Sequence, residues 1–238
     1  MKYFISTIHI GRPQSFENAE GKVWTSAIAK SPVEGRVRVR FENLEGDQQA
    51  DRVHHGGPDK AVLGYSSSHF PFWREQFDHW DVGSGSFGEN LTIEGQTEQE
   101  VCIGDVFQVG TSQLQVSQPR QPCWKLTRRW SIPKLALHVQ QTGYTGWYFR
   151  VLKEGWIETG KTLDLLERPC PDITVSWAHQ VMHTKPSSRA ADLRLSECSY
   201  LSESWRKQLR DRTEKASQKQ REERRLSGPV SSHPKPPQ

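Results

Sequence analysis

What most limits the possible folds is a repeated alternation of apolar and polar residues in short runs, broken by glycine and proline. Val37-Arg38-Val39-Arg40-Phe41, Asp105-Val106-Phe107-Gln108-Val109 and Gln113-Leu114-Gln115-Val116-Ser117 all carry it. Successive side chains of a strand point to opposite faces, so each run suits a half-buried strand. Gly110-Thr111-Ser112, between the last two runs, suits a hairpin connection. Leu91-Thr92-Ile93 and Trp147-Tyr148-Phe149-Arg150-Val151-Leu152 add further strands. Many short strands with frequent turns predict a barrel or sandwich. Two stretches inside it read as helices: residues 66–80, where Phe70, Trp73 and Phe77 are spaced by three and four, and residues 133–141. Nine Trp and nine Phe supply large pieces of core surface.

The pattern changes at Pro169-Cys170-Pro171, because two prolines cannot continue a central strand. Asp172 then offers an N-cap to a helix whose apolar face is Val175, Ala178, Val181 and Met182. A second helix is expected over residues 190–198. A third starts near Ser202, with Leu201, Trp205 and Leu209 spaced by four, and can extend toward Leu226. Residues 228–238, with four prolines, read as a disordered tail. The expected organisation is therefore a mainly β domain with some helix over 1–168, a small helical domain over 169–227, and the tail.

No apolar run approaches the roughly 20 residues a membrane span needs, and Met1-Lys2-Tyr3-Phe4-Ile5-Ser6 lacks the apolar core of a signal peptide. The four cysteines (Cys102, Cys123, Cys170 and Cys198) form no Cys-x-x-Cys pair, which argues against a zinc knuckle or a thioredoxin-like motif. A reduced, cytoplasmic setting without membrane contact is expected. The net charge is +4. Nine cations against four acids lie between Arg206 and Arg225. Such a segment either attracts nucleic acid or is the solvated face of a helix. The second reading is preferred, because no aromatic residue interleaves those cations beyond Trp205, assigned here to the helix core.

Three stretches carry chemistry. In Arg52-Val53-His54-His55-Gly56-Gly57-Pro58-Asp59-Lys60-Ala61-Val62, two histidines run into glycines that let a ligand approach the backbone. Adjacent residues of an extended chain face opposite sides, so either His54 or His55 faces a pocket. Phe87-Gly88-Glu89-Asn90-Leu91-Thr92 suits a loop presenting backbone N–H groups and an amide. The formal dinucleotide-binding pattern Gly83-x-Gly85-x-x-Gly88 is rejected, since it requires a strand before it and a helix after it. In Gln118-Pro119-Arg120-Gln121-Pro122-Cys123-Trp124-Lys125-Leu126, a proline-stiffened segment sets Cys123 between two cations, which favour a thiolate. A thiolate is a nucleophile and a soft metal ligand. Cys102, Cys170 and Cys198 have no such setting and are read as structural. One soft anion, histidines, backbone donors and several cations suit a metal carried on an anionic organic cofactor. They also permit a hydrolase with Cys123 as nucleophile and His55 as base.

The ordered set HHGGPDKAV, FGENLT and QPRQPCWKL resembles the MOSC domain, the molybdenum-cofactor sulfurase C-terminal type. Ser26-Ala27-Ile28-Ala29-Lys30-Ser31-Pro32-Val33 and Leu44-Glu45-Gly46-Asp47-Gln48-Gln49-Ala50 resemble the YiiM subgroup. So do Asp172-Ile173-Thr174-Val175, Leu201-Ser202-Glu203-Ser204-Trp205 and Arg224-Arg225-Leu226-Ser227-Gly228. The resemblance implies a MOSC-type β-barrel followed by a three-helix domain. It implies the molybdenum cofactor (molybdopterin), with Cys123 as the protein ligand of molybdenum. Around that anionic group it suggests Lys30, His54 or His55, Lys60, Arg120 and Lys125, with Gly88, Glu89 and Asn90 along the same pocket. It further implies reduction of N-hydroxylated compounds, among them the base analogue 6-N-hydroxylaminopurine. Cys123 and His55 would be the catalytic pair, His55 giving the proton. Because the chain has no iron–sulfur, flavin or nicotinamide signature, electrons are expected from a separate reductase. The alternatives are a molybdopterin or sulfur carrier without turnover, a helical nucleic-acid-binding protein, and the thiol hydrolase.

Overall fold

The computed structural model describes residues 3–17, 21–50, 56–213 and 225–227. The strands are β1 (Phe4–Ile10), β2 (Gln14–Glu17), β3 (Val23–Ser26), β4 (Ser31–Pro32), β5 (Arg36–Val39), β6 (Val62–Ser66), β7 (Leu91–Glu94), β8 (Val106–Val109), β9 (Ser112–Pro119), β10 (Trp147–Lys153), β11 (Gly155–Glu158) and β12 (Leu163–Glu167). Eight of them form one mixed sheet in the order β12-β8-β9-β10-β6-β7-β1-β4. β6 and β7 pair in parallel, while the other pairs in this sheet are antiparallel. The expected hairpin is β8–β9, with Val109 opposite Ser112.

The sheet curls until its two sides meet. Ile5 N–H donates to the Lys161 carbonyl at 2.9 Å, and Leu163 N–H donates to the Tyr3 carbonyl at 2.9 Å. This closure makes the sheet barrel-like and removes most of its open edge. The hairpin β2–β3 and the pair β5–β11 lie outside the main sheet.

The helices are α1 (Phe70–Gln76), α2 (Trp124–Trp130), α3 (Leu135–Thr142), α4 (Val175–His183), α5 (Arg189–Ser196) and α6 (Glu203–Thr213). The helix expected over 66–80 is shorter. A 3-10 turn, Ser67–His69, precedes α1, and Phe77 leaves helical geometry with φ −139°. Phe70 and Trp73 are buried all the same, in an aromatic cluster with Tyr65, Trp80 and Phe87, and Phe77 packs against it. Tyr65 and Phe87 stack with ring centres 4.0 Å apart.

The first C-terminal helix begins later than its expected cap. Thr174, not Asp172, caps α4: its hydroxyl accepts the Trp177 N–H at 3.0 Å. Thr174 has the extended backbone an N-cap needs, one residue before Val175. The three C-terminal helices share one apolar core with the barrel, in which Ala178, Leu195, Trp205 and Leu209 are buried with Val101, Ile103 and Val116. Backbone bonds cross between them: Val175 N–H to Val101 at 2.8 Å and Ser202 N–H to Ser117 at 2.9 Å. Arg212 and Asp192 form a buried ion pair between α6 and α5. The expected extension of the third helix toward residue 226 falls largely outside the described residues, as does the 228–238 tail. No helix of the described residues is long and apolar enough to cross a membrane.

Candidate functional site

One cleft gathers the chemistry-bearing loops. It holds about 660 Å³ measured out to solvent, and its walls include Ile28, Lys30, Asp47, Lys60, Gly88, Asn90, Arg120, Cys123, Lys125 and Tyr148. These come from the loop after β3, the loop after β5, the 3-10 turn Pro58–Lys60, the loop before β7, the segment after β9, and β10 itself.

The segment after β9 carries Cys123 into the cleft. Cys123 takes extended geometry (φ −128°, ψ 166°) as the last residue before α2 and is 9% exposed. Three residues earlier, Arg120 is 5% exposed, and its backbone N–H donates to the Gly146 carbonyl at 3.0 Å. Among the described residues its Nη1 is buried without a hydrogen-bond partner. A buried guanidinium N–H left unmatched beside a cleft is suited to an anionic acceptor.

Helix α2 fixes the neighbouring loops. Arg129 donates to the Ile28 carbonyl, and Trp130 Nε1 donates to the Ser86 carbonyl at 2.7 Å. Burial lowers the Arg129 pKa, opposed by the nearby Glu89 charge. Gly88 has φ +74°, and a Cβ there would lie 2.8 Å from Ile28 Cγ1. Glycine is therefore what lets the two loops touch.

Asp47 organises the opposite wall. It pairs with Lys30 and accepts the Gly11 N–H at 2.7 Å and Asn90 Nδ2 at 2.9 Å. Burial pulls the Lys30 ammonium below its usual range, while Asp47 opposes that shift. Asn90 also gives Nδ2 to the His9 carbonyl at 3.2 Å and takes the Leu63 N–H on Oδ1 at 3.1 Å. Its amide lines the cleft but is engaged in joining strands. Tyr148 was not singled out from the sequence. Its partial burial pushes the phenol up; Arg120 opposes this, and the Cys123 and Asp47 charges add to it. The cleft thus holds a phenol that keeps its proton at neutral pH.

Of the residues singled out from the sequence, Lys30, Lys60, Gly88, Asn90, Arg120, Cys123 and Lys125 line this one cleft. Glu89 does not. It is fully buried, and its carboxylate accepts from the N–H groups of Gly85 at 2.5 Å and Phe87 at 3.0 Å and from the Thr92 hydroxyl at 3.1 Å. It braces its own loop. His54 and His55 lie outside the described residues. The rejected glycine pattern is a turn: Gly85 and Gly88 both have positive φ, and strand β7 follows. No group of three or more His, Cys, Asp or Glu among the described residues is placed to hold a bare metal ion.

Residues 51–164 match the MOSC domain, and residues 173–216 match the YiiM-like three-α-helix domain. The protein YflK of Bacillus subtilis (strain 168) is 46% identical over 205 residues, 86% of this chain and 92% of that protein. A protein of Gibberella moniliformis (strain M3125 / FGSC 7600) named "Reductase" is 38% identical over 190 residues, 78% of this chain but 33% of that longer protein. The crystal structure of YiiM from Escherichia coli superposes with a TM-score of 0.77 at 30% identity, covering 96% of this chain and all of that one.

Proposed function

Because the chain belongs to the MOSC family in its YiiM-like form, we propose that it is a molybdenum-cofactor-dependent reductase of N-hydroxylated compounds. One observation carries the reading: Cys123 opens into the same cleft as Arg120, whose buried Nη1 lacks a partner among the described residues, with Lys30, Lys60 and Lys125 around them. A soft ligand ringed by cations matches a metal held on an anionic carrier better than a metal held by protein alone.

Cys123 would be the protein ligand of molybdenum. Arg120, Lys60 and Lys125 would balance the negative charge of the pterin group, with Lys30 held in place by Asp47. When bound, the cofactor supplies oxygen-atom abstraction: the N-hydroxyl compound takes two electrons and two protons and leaves as amine and water. The residues of the chain orient the substrate, hold charge and move protons. Tyr148 faces the cleft with its phenol protonated, able to donate a hydrogen bond to a bound oxygen. His55 is the candidate proton source, on the sequence alone. The electrons would come from a separate reductase. The Gibberella relative supports this, since two thirds of that reductase lies beyond the part similar to this chain.

The test is molybdenum content by elemental mass spectrometry on protein made in a host that synthesises the cofactor, followed by reduction of an N-hydroxylated base with a chemical donor. About one molybdenum per chain, its loss in Cys123→Ala, and turnover in the wild type alone are expected. Molybdenum without turnover on any hydroxylamine would make the protein a carrier. Thiol-dependent hydrolysis by metal-free protein would overturn the reading entirely.

A further inference from the structure

A second thiol site lies away from the cleft, where the barrel meets the helices. Cys170 follows β12 between Pro169 and Pro171, and Cys198 follows α5. The two residues are 28 apart in sequence, yet their sulfurs are 3.7 Å apart. Gly104 makes the approach possible. A Cβ on it would lie 2.9 Å from the Pro169 ring and 2.9 Å from the Tyr200 side chain, so both cysteine-bearing segments pack onto a residue with no side chain. The backbone holds both ends: Ile173 N–H donates to the Cys170 carbonyl at 3.1 Å, and Leu201 N–H donates to the Cys198 carbonyl at 3.1 Å. A third thiol, Cys102, is turned aside and donates to the Pro171 carbonyl at 3.4 Å. Cys170 is half-buried, whereas Cys198 is buried.

We propose that Cys170 and Cys198 are a reversible dithiol–disulfide site that, when oxidised, ties the segment after β12 to the end of α5. A disulfide bond is about 2.05 Å long, so the sulfurs need to close by roughly 1.7 Å. With a small disulfide as oxidant, the more exposed Cys170 sulfur attacks one sulfur of the reagent. The reagent's S–S bond breaks and one thiol leaves. Cys198 then attacks the Cys170 sulfur of the mixed disulfide, forming the internal bond and releasing the second thiol. Two protein thiols are oxidised and one reagent disulfide is reduced to two thiols, which take up the two protons. Burial and the adjacent Cys198 push the Cys170 thiol up to about 12, so Cys170 reacts slowly at neutral pH. What favours closure is proximity: once Cys170 is captured, Cys198 is already in contact with it.

The test is to equilibrate the full chain with glutathione disulfide, quench with N-ethylmaleimide, and measure intact mass, peptide map and melting temperature. The expected product has lost two hydrogens, carries a Cys170–Cys198 cross-linked peptide, melts on the order of 5 °C higher, and reverts with dithiothreitol. Cys198→Ala should give only a glutathione adduct on Cys170, without the rise in melting temperature. Full alkylation of both thiols after equilibration, or a Cys170–Cys102 linkage in the wild type, would overturn the proposal. Neither outcome depends on a variant folding.

Discussion

Lys30 and Asp47 form an ion pair at the wall of the cleft with only 8% and 1% of their side chains exposed. Removing one partner of such a pair strands the other charge in a poorly solvated place. Asp47→Ala also takes the acceptor from the Gly11 N–H and from one Asn90 N–H. We expect a loss of about 3–5 kcal/mol in urea unfolding. Lys30, already drawn down by burial and no longer supported by Asp47, would carry less charge into the cleft, so affinity for an anionic ligand should fall as well. A loss under about 1 kcal/mol would mean that water reaches the pair.

Stability should fall on the acid side of neutrality because of histidines buried in the neutral form. Burial, with the nearby Lys30 and Arg129 charges, lowers His9 from 6.5 to about 4. Burial lowers His179, and burial together with His179 takes His183 down to about 2. Each folded value lies below the unfolded one, so below pH 6.5 the unfolded chain binds more protons. Their contribution is therefore complete above about pH 6.5 and is lost as pH falls toward 4, at up to about 1.4 kcal/mol per pH unit for each histidine. Melting curves should be flat from pH 8 to 7 and drop from 6.5 to 5. His9→Asn should make that drop shallower. An unchanged melting temperature at pH 5 would show that these rings protonate without unfolding.

The loops that line the cleft were more legible in the sequence than the contacts that hold them in place. The β8–β9 hairpin, the three C-terminal helices and the loops ending at Lys60, Asn90 and Cys123 were readable because each depends on local periodicity or turn residues. Asp47 was not, since its role arises from partners at Gly11, Lys30 and Asn90, and long-range convergence leaves no local pattern. Helix α2 was missed because Trp124-Lys125-Leu126-Thr127-Arg128-Arg129-Trp130 follows Cys123, which provides no side-chain cap. Glu89 was misplaced because Gly88-Glu89-Asn90 reads equally as ligand donors or as a loop bracing itself. The Cys170–Cys198 approach was hidden by a separation of 28 residues.

Gly146 is the glycine whose replacement should do most damage near the site. It has φ +72°, and a Cβ would lie 2.3 Å from the Gly64 carbonyl oxygen in the neighbouring strand β6. Its N–H donates to Glu98 at 2.7 Å, and its carbonyl accepts the Arg120 N–H. Gly146→Ala combines backbone strain with a backbone clash, so a loss of at least about 2 kcal/mol is expected. The shift should reach Arg120 and, if the proposed function holds, lower the molybdenum content of whatever fraction still folds. A variant melting within a degree of the wild type would show that β10 and β6 can separate at that point without loss.

Arg225 reaches the Cys123 segment from 103 residues beyond Pro122. Arg225 Nη1 donates to the Pro122 carbonyl at 2.5 Å, and Nη2 donates to the Gln140 side chain in α3. Pro122 directly precedes Cys123, so this arginine holds the Cys123 loop through a residue that does not line the cleft. A hydrogen bond from a charged donor contributes about 1.5–3 kcal/mol. If Arg225→Ala transfers even the lower figure to opening of the loop, Cys123 becomes exposed about tenfold more often. The alkylation rate of Cys123, followed by peptide mass spectrometry under native conditions, should rise by about that factor, with a fall of roughly 3–6 °C in melting temperature. Equal rates in the two proteins would mean that the proline-stiffened segment and α2 hold Cys123 without help from the C-terminal arginine.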